Sequence, residues 1–512
     1  MQADRGFTLS HQKVALELGF SGVLAGFTEL TIMPSNAALR HIYLHARCMD
    51  IQRVLCNGQE VRFEHTDAVQ SLALSDIHGH AQLKRDLFSA TSQGAEGELR
   101  ISLPDHLRPE RVSSGTEGNA DGEEFSMMTI RIDYVLEDVH EAIQVIQPTA
   151  DAPYRVPHMY TRPLGLNSSR CWVPCLDSLW DRCTWELEYV VPRRLSVDMG
   201  DLDDETPEIY VISSGELTEH AMHPQNPEKS VFYYTQQVAT SVQHVAFCAG
   251  PFVMTRLSPA GLQTCETLSF CLPEHEHELR STTQFAWQAI EYISSEYGSY
   301  PFGSFKLVFV DGTHEDCHTA STLAICSSDL LHPPSVIDQA FENRHILSHA
   351  VAFQWVGINI IQKTWADTWL IHGLSQYLAS MFLRWLLGNN EYRFRMKKDC
   401  DRLCHWDIGM PPLYQAGRDE PLDPQLLSFV NLKAPLVLYL LDRRLCKMGA
   451  SLGLGRVIPK VFLQAITGEM SNNALGTHSF LRTCKKVSSA DLRLFMDQWI
   501  NGSGCPRFIC TA

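Results

Sequence analysis

One segment near the middle of the chain limits its possible folds more than any other: HILSHAVAFQWVGINIIQKTWADTWLIHGLSQYLAS, residues 345–380. It lies in a stretch, from about residue 335 to 501, where helical periodicity dominates, so it is expected to form a pair of helices. His349 and Phe353 are four residues apart and therefore share one face of the first helix, whereas His372 falls on the second. The segment thus predicts a helix pair that brings a few specific side chains together.

The first half of the chain carries a period-two pattern instead. Segments such as FTELTIM, MMTIRIDYVL and CTWELEYVV alternate β-branched or aromatic residues with polar ones, which is typical of strands with one buried face. Many such strands with little helical pattern predict an all-β, antiparallel sandwich or saddle over residues 1–255. The small, polar stretch at 113–124 is expected to be a loop inserted between strands.

The pattern changes after residue 255. A helical segment, STTQFAWQAIEYISSEYG, and a strand, FKLVFVDG, precede the helix-rich stretch, so an α+β domain is expected over residues 256–501. Ser488 and Asp491 are spaced like a capping box at the start of its last helix. The final residues, 502–512, look like the opening strand of a third β domain. The predicted fold class is therefore multi-domain, with the chain truncated before that third domain.

Charge and cysteine content narrow the class of function. The chain has 59 acidic and 42 basic residues, and a net charge of -17 disfavours nonspecific binding to nucleic acid or anionic membrane. The N-terminus does not resemble a signal peptide, and no run of roughly 20 apolar residues predicts a membrane span. Sixteen cysteines at irregular spacings do not match a structural zinc site. We expect reduced, mostly buried thiols in an intracellular protein.

Zinc peptidases with the HExxH motif place two histidines one helical turn apart and use the intervening glutamate as a general base. The chain resembles one such family, the gluzincin aminopeptidases, over nearly all its length. The resemblance is most specific in HAVAFQWVGINIIQKTWADTWLIHGLSQYLA and extends to IYLHARCMDIQRVLCNGQEV and RCWVPCLDSLWDRCTWELEYVVP. It implies that the second domain is thermolysin-like. Positions of the family frame that are retained are Gln354, Trp355, Gly357, Trp365, Asp367, Trp369, Leu370, Gly373 and Tyr377.

The same resemblance implies that the chemistry is lost. His349 stands at the first zinc ligand, but Ala350 replaces the general-base glutamate and Phe353 replaces the second histidine. The third ligand, a glutamate in the family, falls on His372. Alanine cannot accept a proton, and phenylalanine has no lone pair for a metal. We therefore expect no catalytic residues, metal or cofactor, with His349 and His372 as core histidines.

Two other parts of the family site also depart from its pattern. The transition-state tyrosine of the family matches Asn431, two residues before Lys433 in FVNLKAPLVLYLL, and THEDCHTASTLAI replaces the loop that binds the substrate amine. HEDCH, from His314 to His318, matches HExxH literally with Glu315 as its glutamate. It comes after a strand and a glycine and has no helical apolar face, so a polar loop is the expected structure.

One branch of this family is known to keep the fold and lose the zinc site: a TBP-associated factor of the general transcription factor TFIID. GLNSSRCWVPCLDSLWDRCTWELEYVV, STLAICSSDLLHP and NLKAPLVLYLLDRRL resemble that branch. The resemblance implies a nuclear, non-catalytic scaffold whose partners are other TFIID subunits, TBP and, within the complex, core-promoter DNA, with no membrane. No DNA-binding residue can be assigned from the sequence, because the basic run RFRMKK (393–398) is expected to be a solvated helix face.

Two other functions remain open at this point. An intracellular zinc aminopeptidase could use His349, His372 or the HEDCH segment as non-standard ligands, and it would require stoichiometric metal. A peptide-binding module could retain the old cleft without hydrolysis. The lost amine-binding loop and the bulk of Phe353 argue against the second of these.

Overall fold

The structure, a computed structural model, describes residues 5–69, 72, 79–93, 96–111, 125–137, 139–162, 167–195, 208–259, 265–448 and 453–505. The loop predicted at 113–124 and most of the strand predicted at 502–512 lie outside these residues. Residues 502–505 are described and form no strand.

Eight strands form one large sheet in the N-terminal half: β1 (Phe7–Leu18), β2 (Leu24–Pro34), β4 (Asp50–Cys56), β5 (Gln59–Glu60), β8 (Met128–Leu136), β11 (Arg182–Pro192), β13 (Glu216–Met222) and β14 (Lys229–Ser241). Their order is β13-β14-β11-β1-β2-β8-β4-β5. Neighbours are antiparallel except β1 and β11, which run parallel. Alternate residues of β8 are buried, as the period-two pattern predicts.

Two smaller sheets and a helix complete this half. One sheet contains β12 (Tyr210–Ser213), β15 (Phe247–Gly250), β10 (His158–Thr161) and β9 (Ile143–Ile146), and the other contains β3 (His41–Leu44), β7 (Leu99–Ser102) and β6 (Phe63–His65). A common apolar core joins both to the large sheet, which confirms the predicted sandwich or saddle. Helix α1 (His80–Gln93) departs from that all-β prediction. Its apolar residues Leu83, Leu87 and Ala90 recur at helical spacing, and Leu87 and Phe88 are exposed.

A five-stranded sheet begins the second half, with β16 (Val253–Arg256), β17 (Glu266–Cys271), β18 (Ser304–Val310), β20 (Leu323–Ser327) and β19 (Cys317–Ala320) in that order. The three central strands are parallel, and β16 and β19 are antiparallel edge strands. The predicted strand FKLVFVDG is confirmed as β18, which is buried at every position. The proposed boundary at residue 255 falls inside β16, so this sheet begins slightly earlier. The division into residues 1–255 and 256–501 otherwise remains a prediction.

Helices form most of the second half: α2 (Glu276–Thr283), α3 (Ala286–Glu296), α4 (Asp338–Phe353), α5 (Thr368–Leu387), α6 (Asn389–Trp406), α7 (Pro424–Lys447), α8 (Leu454–Ile466), α9 (Thr477–Ser488) and α10 (Arg493–Phe495). A two-residue pairing joins β21 (Ile361–Gln362) to β22 (Ala474–Leu475). Helix α5 packs against α4 and α7. It approaches α7 closely because Gly373 has no side chain, since a Cβ there would lie 3.0 Å from that of Ala434.

The capping box predicted at Ser488 and Asp491 is wrong. Ser488 is the last residue of α9, and its hydroxyl donates to the carbonyl oxygen of Cys484. Asp491 accepts instead from the backbone N–H of Arg493, at the start of α10. Spacing alone therefore identified the segment that contains the helix start but not the residue that caps it.

Helix α7 is long and apolar enough to cross a membrane by length and composition alone, which corrects the prediction that no such run exists. In the fold it packs against α5, α6 and α8, and its buried residues include Lys433 and Asp442. This packing is that of a core helix of the domain.

The two halves share an apolar core. Residues of the four-stranded sheet, among them Tyr160 and Ile212, pack with Val308 and Ile325 of the five-stranded sheet. A buried lysine reinforces this contact, since the Lys306 ammonium donates to the carbonyl oxygen of Gly215 in the N-terminal half. Burial lowers the pKa of Lys306 to about 8. The two halves are therefore joined by apolar packing and by a buried hydrogen bond.

Candidate functional site

A cleft of about 680 Å³ lies between the two halves of the molecule. The N-terminal half contributes Tyr160, Arg162 and His244, and the second half contributes α4, α5, α7 and the segment between β18 and β19. Beside it, the indole N–H of Trp180 donates to the carbonyl oxygen of Gln362, 2.9 Å away, and joins the halves. The cleft is the largest concave feature near the predicted site residues, and it contains most of them.

Retained residues of the family frame fix the two helices that line the cleft. The side-chain oxygen of Gln354 accepts from the backbone N–H of Thr322, 2.9 Å away, which ties the end of α4 to the five-stranded sheet. At the start of α5, Asp367 accepts from the backbone N–H of Thr477 (2.7 Å) and the Trp369 indole donates to the Thr477 hydroxyl (3.0 Å). These polar groups are buried and paired, so losing one partner would be costly.

Phe353 packs against both histidines of the helix pair. Its ring centroid lies 5.6 Å from that of His349, one turn earlier on α4, and 5.7 Å from that of His372 on α5. The predicted residues are therefore brought together, but the side chain between the imidazoles is an aromatic ring. Ala350 is only 2% exposed and offers no proton acceptor.

Hydrogen bonding engages one ring nitrogen of His349. The Ser375 hydroxyl donates to the carbonyl oxygen of His372, at 3.0 Å. The same hydroxyl oxygen lies 3.0 Å from Nε2 of His349, so this nitrogen is also hydrogen-bonded to Ser375. A metal at Nε2 would have to replace this hydrogen bond. Sequence reasoning missed Ser375, which lies three residues after His372 and has no place in the family motif.

Both histidines are neutral at physiological pH. Burial and, second to it, the neighbouring His372 together lower the pKa of His349 to about 3. Burial also lowers the pKa of His372 to about 4, and Asn431 on α7 partly opposes that shift. Nδ1 of His372 and Oδ1 of Asn431 are buried and reach no hydrogen-bonding geometry with any residue that the structure describes. The polar atoms of the site are therefore incompletely paired.

These residues do not fit a zinc ion. Zinc in peptidases takes three protein ligands with nitrogen, oxygen or sulfur atoms. Here Nε2 of His349 is engaged with Ser375, and Phe353 offers no ligand atom. Within the described ranges, the one group of three potential ligands with atoms within 4.8 Å of one another is Glu274, His275 and Asp311, and none of these lines the cleft.

Residues 314–316 of the HEDCH segment form an exposed polar loop, as expected, and this loop lies on the cleft wall. His314 and Glu315 precede β19 and His318 lies within it, so the segment is not helical, and all three line the cleft. Burial lowers the pKa of His318 to about 4 and raises that of Glu315. The position is set by β18, whose C-terminal end faces the cleft, and this topology cannot be seen in the segment itself.

On the opposite wall, Asn431 is held in place by the residue two positions later. Lys433, also on α7, donates to Asp407 across 2.7 Å, and both side chains are almost fully buried. Asp407 comes directly after α6 and was not identifiable from sequence, because 26 residues separate it from its partner. Lys433, which matches the family lysine, therefore has a structural role here.

Acid should destabilise the fold through these histidines. A folded-state pKa below the ordinary value of about 6.5 means that the unfolded chain binds protons that the folded chain excludes, so stability is lost as pH falls. Replacing His372 by Gln should reduce the acid-side slope by about 1 kcal/mol per pH unit between about pH 6 and pH 4.5. Urea unfolding across this range measures the slope.

Phe353→Leu is the matched control for that experiment. It alters packing against the same imidazoles without removing a titrating group, so it should lower stability and leave the slope unchanged. Equal slopes for wild type and His372→Gln would contradict the assignment of a neutral, half-buried His372.

Comparison with known proteins gives consistent results. No protein-family model matches the chain. Transcription initiation factor TFIID subunit 2 of Schizosaccharomyces pombe is 34% identical over 97% of the chain, and the Drosophila melanogaster protein of the same name is 28% identical over 99%. The Saccharomyces cerevisiae protein is 24% identical over 98%. The chain spans 43% to 47% of the length of these relatives.

Solved structures show the fold. Yeast LTA4 hydrolase in complex with bestatin matches all of the chain with a TM-score of 0.70 at 14% identity, over 70% of its own length. The M1 zinc metallopeptidase of Deinococcus radiodurans matches 98% of the chain and 95% of its own with a TM-score of 0.65 at 17% identity. The predicted aminopeptidase-type architecture is therefore confirmed. The chain is therefore related along nearly its whole length to transcription initiation factor TFIID subunit 2, and it has the fold of the M1 zinc metallopeptidases.

Proposed function

We propose that this chain is a non-catalytic scaffold within TFIID that supports assembly of the RNA polymerase II preinitiation complex and core-promoter recognition. The position of Phe353 carries the proposal, because its ring packs against His349 and His372 where a peptidase needs a metal. The Schizosaccharomyces pombe and Drosophila melanogaster relatives match nearly the whole chain, which supports a role in transcription initiation.

Loss of hydrolysis has several independent causes. Ala350 cannot act as a general base, an interaction that typically contributes about 10²- to 10⁴-fold to rate. Asn431 lacks the acidity of a phenol, and Nε2 of His349 is hydrogen-bonded to Ser375. Restoring one of these groups leaves the others missing. A pseudo-peptidase without metal or cofactor is therefore the function that fits the cleft best.

The proposed partners are the other TBP-associated factors and TBP, in the nucleus, with core-promoter DNA close by and no membrane. Direct DNA contact is assigned to no surface of this chain. The basic run at 393–398 lies on α6, where Arg395 pairs with Glu342 and Glu391, and Lys397 pairs with Asp401. Local carboxylates thus neutralise part of the charge that a phosphate backbone would require.

A second candidate, peptide binding without hydrolysis, has one observation in its favour. Phe353 does not close the cleft, which keeps about 680 Å³ and several unpaired polar atoms. The segment around His314 and Glu315 offers no motif for a substrate amine. We rank this function below the scaffold role.

Affinity purification from nuclear extract tests the proposal. The tagged chain should recover TBP-associated factors and TBP in fixed proportion, whereas an active M1 metallopeptidase with the same tag should not. Recovery of the folded chain alone, with folding checked by circular dichroism, would contradict the scaffold role. If the recovered proteins stay together on a sizing column, loose adsorption is excluded.

A further inference from the structure

We propose that Cys317 and Cys326 form a reversible modification site, closing an intrachain disulfide when they react with low-molecular-weight disulfides. The two sulfur atoms lie 3.1 Å apart, and both residues are free thiols. This site does not depend on the proposed scaffold function. It uses residues that neither the peptidase frame nor the cleft histidines require.

The strand register places the two cysteines directly opposite each other. In the antiparallel pair β19 and β20, Cys317 is the partner of Cys326. The adjacent pair is hydrogen-bonded, since the backbone N–H of Ser327 donates to the carbonyl oxygen of Asp316 at 2.9 Å. The cysteines therefore occupy a non-hydrogen-bonded position, where opposite Cα atoms are about 4.5 Å apart and side chains come closest. That separation lies within the span that disulfides bridge.

Only a small movement is needed to form the bond. A disulfide brings its sulfurs to about 2.0 Å, so the present gap must close by about 1 Å. Strand β19 is at the edge of its sheet and has a neighbour on one side only. An edge strand can shift toward its partner without breaking a second ladder.

The difference in solvent exposure between the two cysteines determines which of them reacts first. Cys317 is partly exposed and lines the cleft, whereas Cys326 is fully buried. Small oxidants can therefore reach Cys317 first, and Cys326 is placed to resolve the product. A partly exposed thiol beside a buried resolving thiol is the arrangement expected of a redox-sensitive pair.

The chemistry balances with oxidised glutathione as the oxidant. The Cys317 thiolate attacks one sulfur of glutathione disulfide, forming a mixed disulfide, and the released glutathione thiolate takes up the proton that Cys317 lost. Cys326 then loses its proton, its thiolate attacks the sulfur of Cys317 to close the intrachain bond, and the second glutathione leaves as a thiolate that takes up that proton. Two protein thiols are oxidised, and one glutathione disulfide is reduced to two thiols.

Closure would fix one wall of the cleft. Strand β19 comes directly after the segment that carries His314 and Glu315 into the cleft. A covalent link to β20 would hold that segment against the sheet. Hydrogen exchange should therefore slow in residues 313–320 of the oxidised chain, and reduction by dithiothreitol should restore the original rate.

Peptide mapping by mass spectrometry tests the site on the whole folded chain after incubation with oxidised glutathione. The wild type should yield a Cys317–Cys326 cross-link at least about tenfold more abundant than any cross-link to Cys271. Cys271 is the matched control, because it is a buried thiol of the same sheet whose cross-strand partner is Val253. Cys271→Ser should leave the cross-link unchanged.

Single variants separate the two steps. Cys326→Ser should keep glutathione on Cys317, because the resolving thiol is gone, whereas Cys317→Ser should leave Cys326 unmodified because it is buried. The wild-type result is decisive even if a variant fails to fold. A wild-type chain that keeps glutathione on Cys317 without the cross-link, or that keeps both thiols free, would overturn the proposal.

Discussion

Replacing Asp407 by Ala should lower the free energy of unfolding by about 3–5 kcal/mol, because Lys433 would then be a buried charge without its partner. The Lys433 ammonium lies 2.7 Å from Asp407 Oδ2, and the side chains are 4% and 0% exposed. The pair also holds α7 against the end of α6, and Asn431 faces the cleft from the same part of α7. Chemical denaturation measures the loss.

A second lysine–aspartate pair with the same nitrogen–oxygen distance provides a matched control. Lys397 and Asp401 are also 2.7 Å apart, but their side chains are 75% and 62% exposed. Asp401→Ala should change stability little, since exposed ion pairs are solvated and screened. The double variant Asp407→Leu with Lys433→Met should recover most of the loss, because it removes both buried charges. Equal losses for the single and double variants would contradict the explanation.

Gly357→Ala should destabilise the protein by about 2–6 kcal/mol, combining backbone strain with a clash in the site. Gly357 has φ +140, and an added Cβ would lie 2.5 Å from three ring carbons of Phe353. The ring of Phe353 is held by this glycine on one side and by the two histidines beside it. Thermal or chemical unfolding measures the change.

Gly388→Ala separates the two causes. Gly388 also has positive φ, +90, but an added Cβ would meet nothing within 4 Å, so only the strain of about 1–2 kcal/mol applies. In a Phe353→Ala background, the effect of Gly357→Ala should shrink toward that of Gly388→Ala, because the clashing ring is absent. Equal effects at the two glycines in the wild-type background would show that Phe353 does not occupy this place.

The fold was largely predictable because its signals are local. Period-two alternation marks the strands of the large sheet, as the burial of β8 illustrates, and helical periodicity marks helices such as α8 and α9. The family frame around Gln354 and Trp369 survives for a physical reason, since these side chains make buried hydrogen bonds across the domain. The sequence alone is therefore enough to predict that the residues of the family frame are retained while the residues at the metal-ligand positions are changed.

The features that could not be predicted depend on residues distant in sequence. The parallel pairing of β1 with β11 joins segments about 170 residues apart, as in His11 with Thr184. The partner of Lys433 and the hydroxyl that engages His349 are likewise set by how helices meet. The residues of the HEDCH segment do not encode which strand end faces the cleft, so its place on the cleft wall could not be predicted.

The most direct test of the central claim is zinc content measured together with hydrolysis. The purified chain is loaded with excess zinc, passed through a sizing column and analysed for metal, and the same sample is assayed on an aminoacyl-anilide beside an M1 metallopeptidase. We predict far less than one zinc per chain and no hydrolysis, because Phe353 and the His349–Ser375 hydrogen bond leave no ligand set. One zinc per chain with chelator-sensitive cleavage would contradict the account.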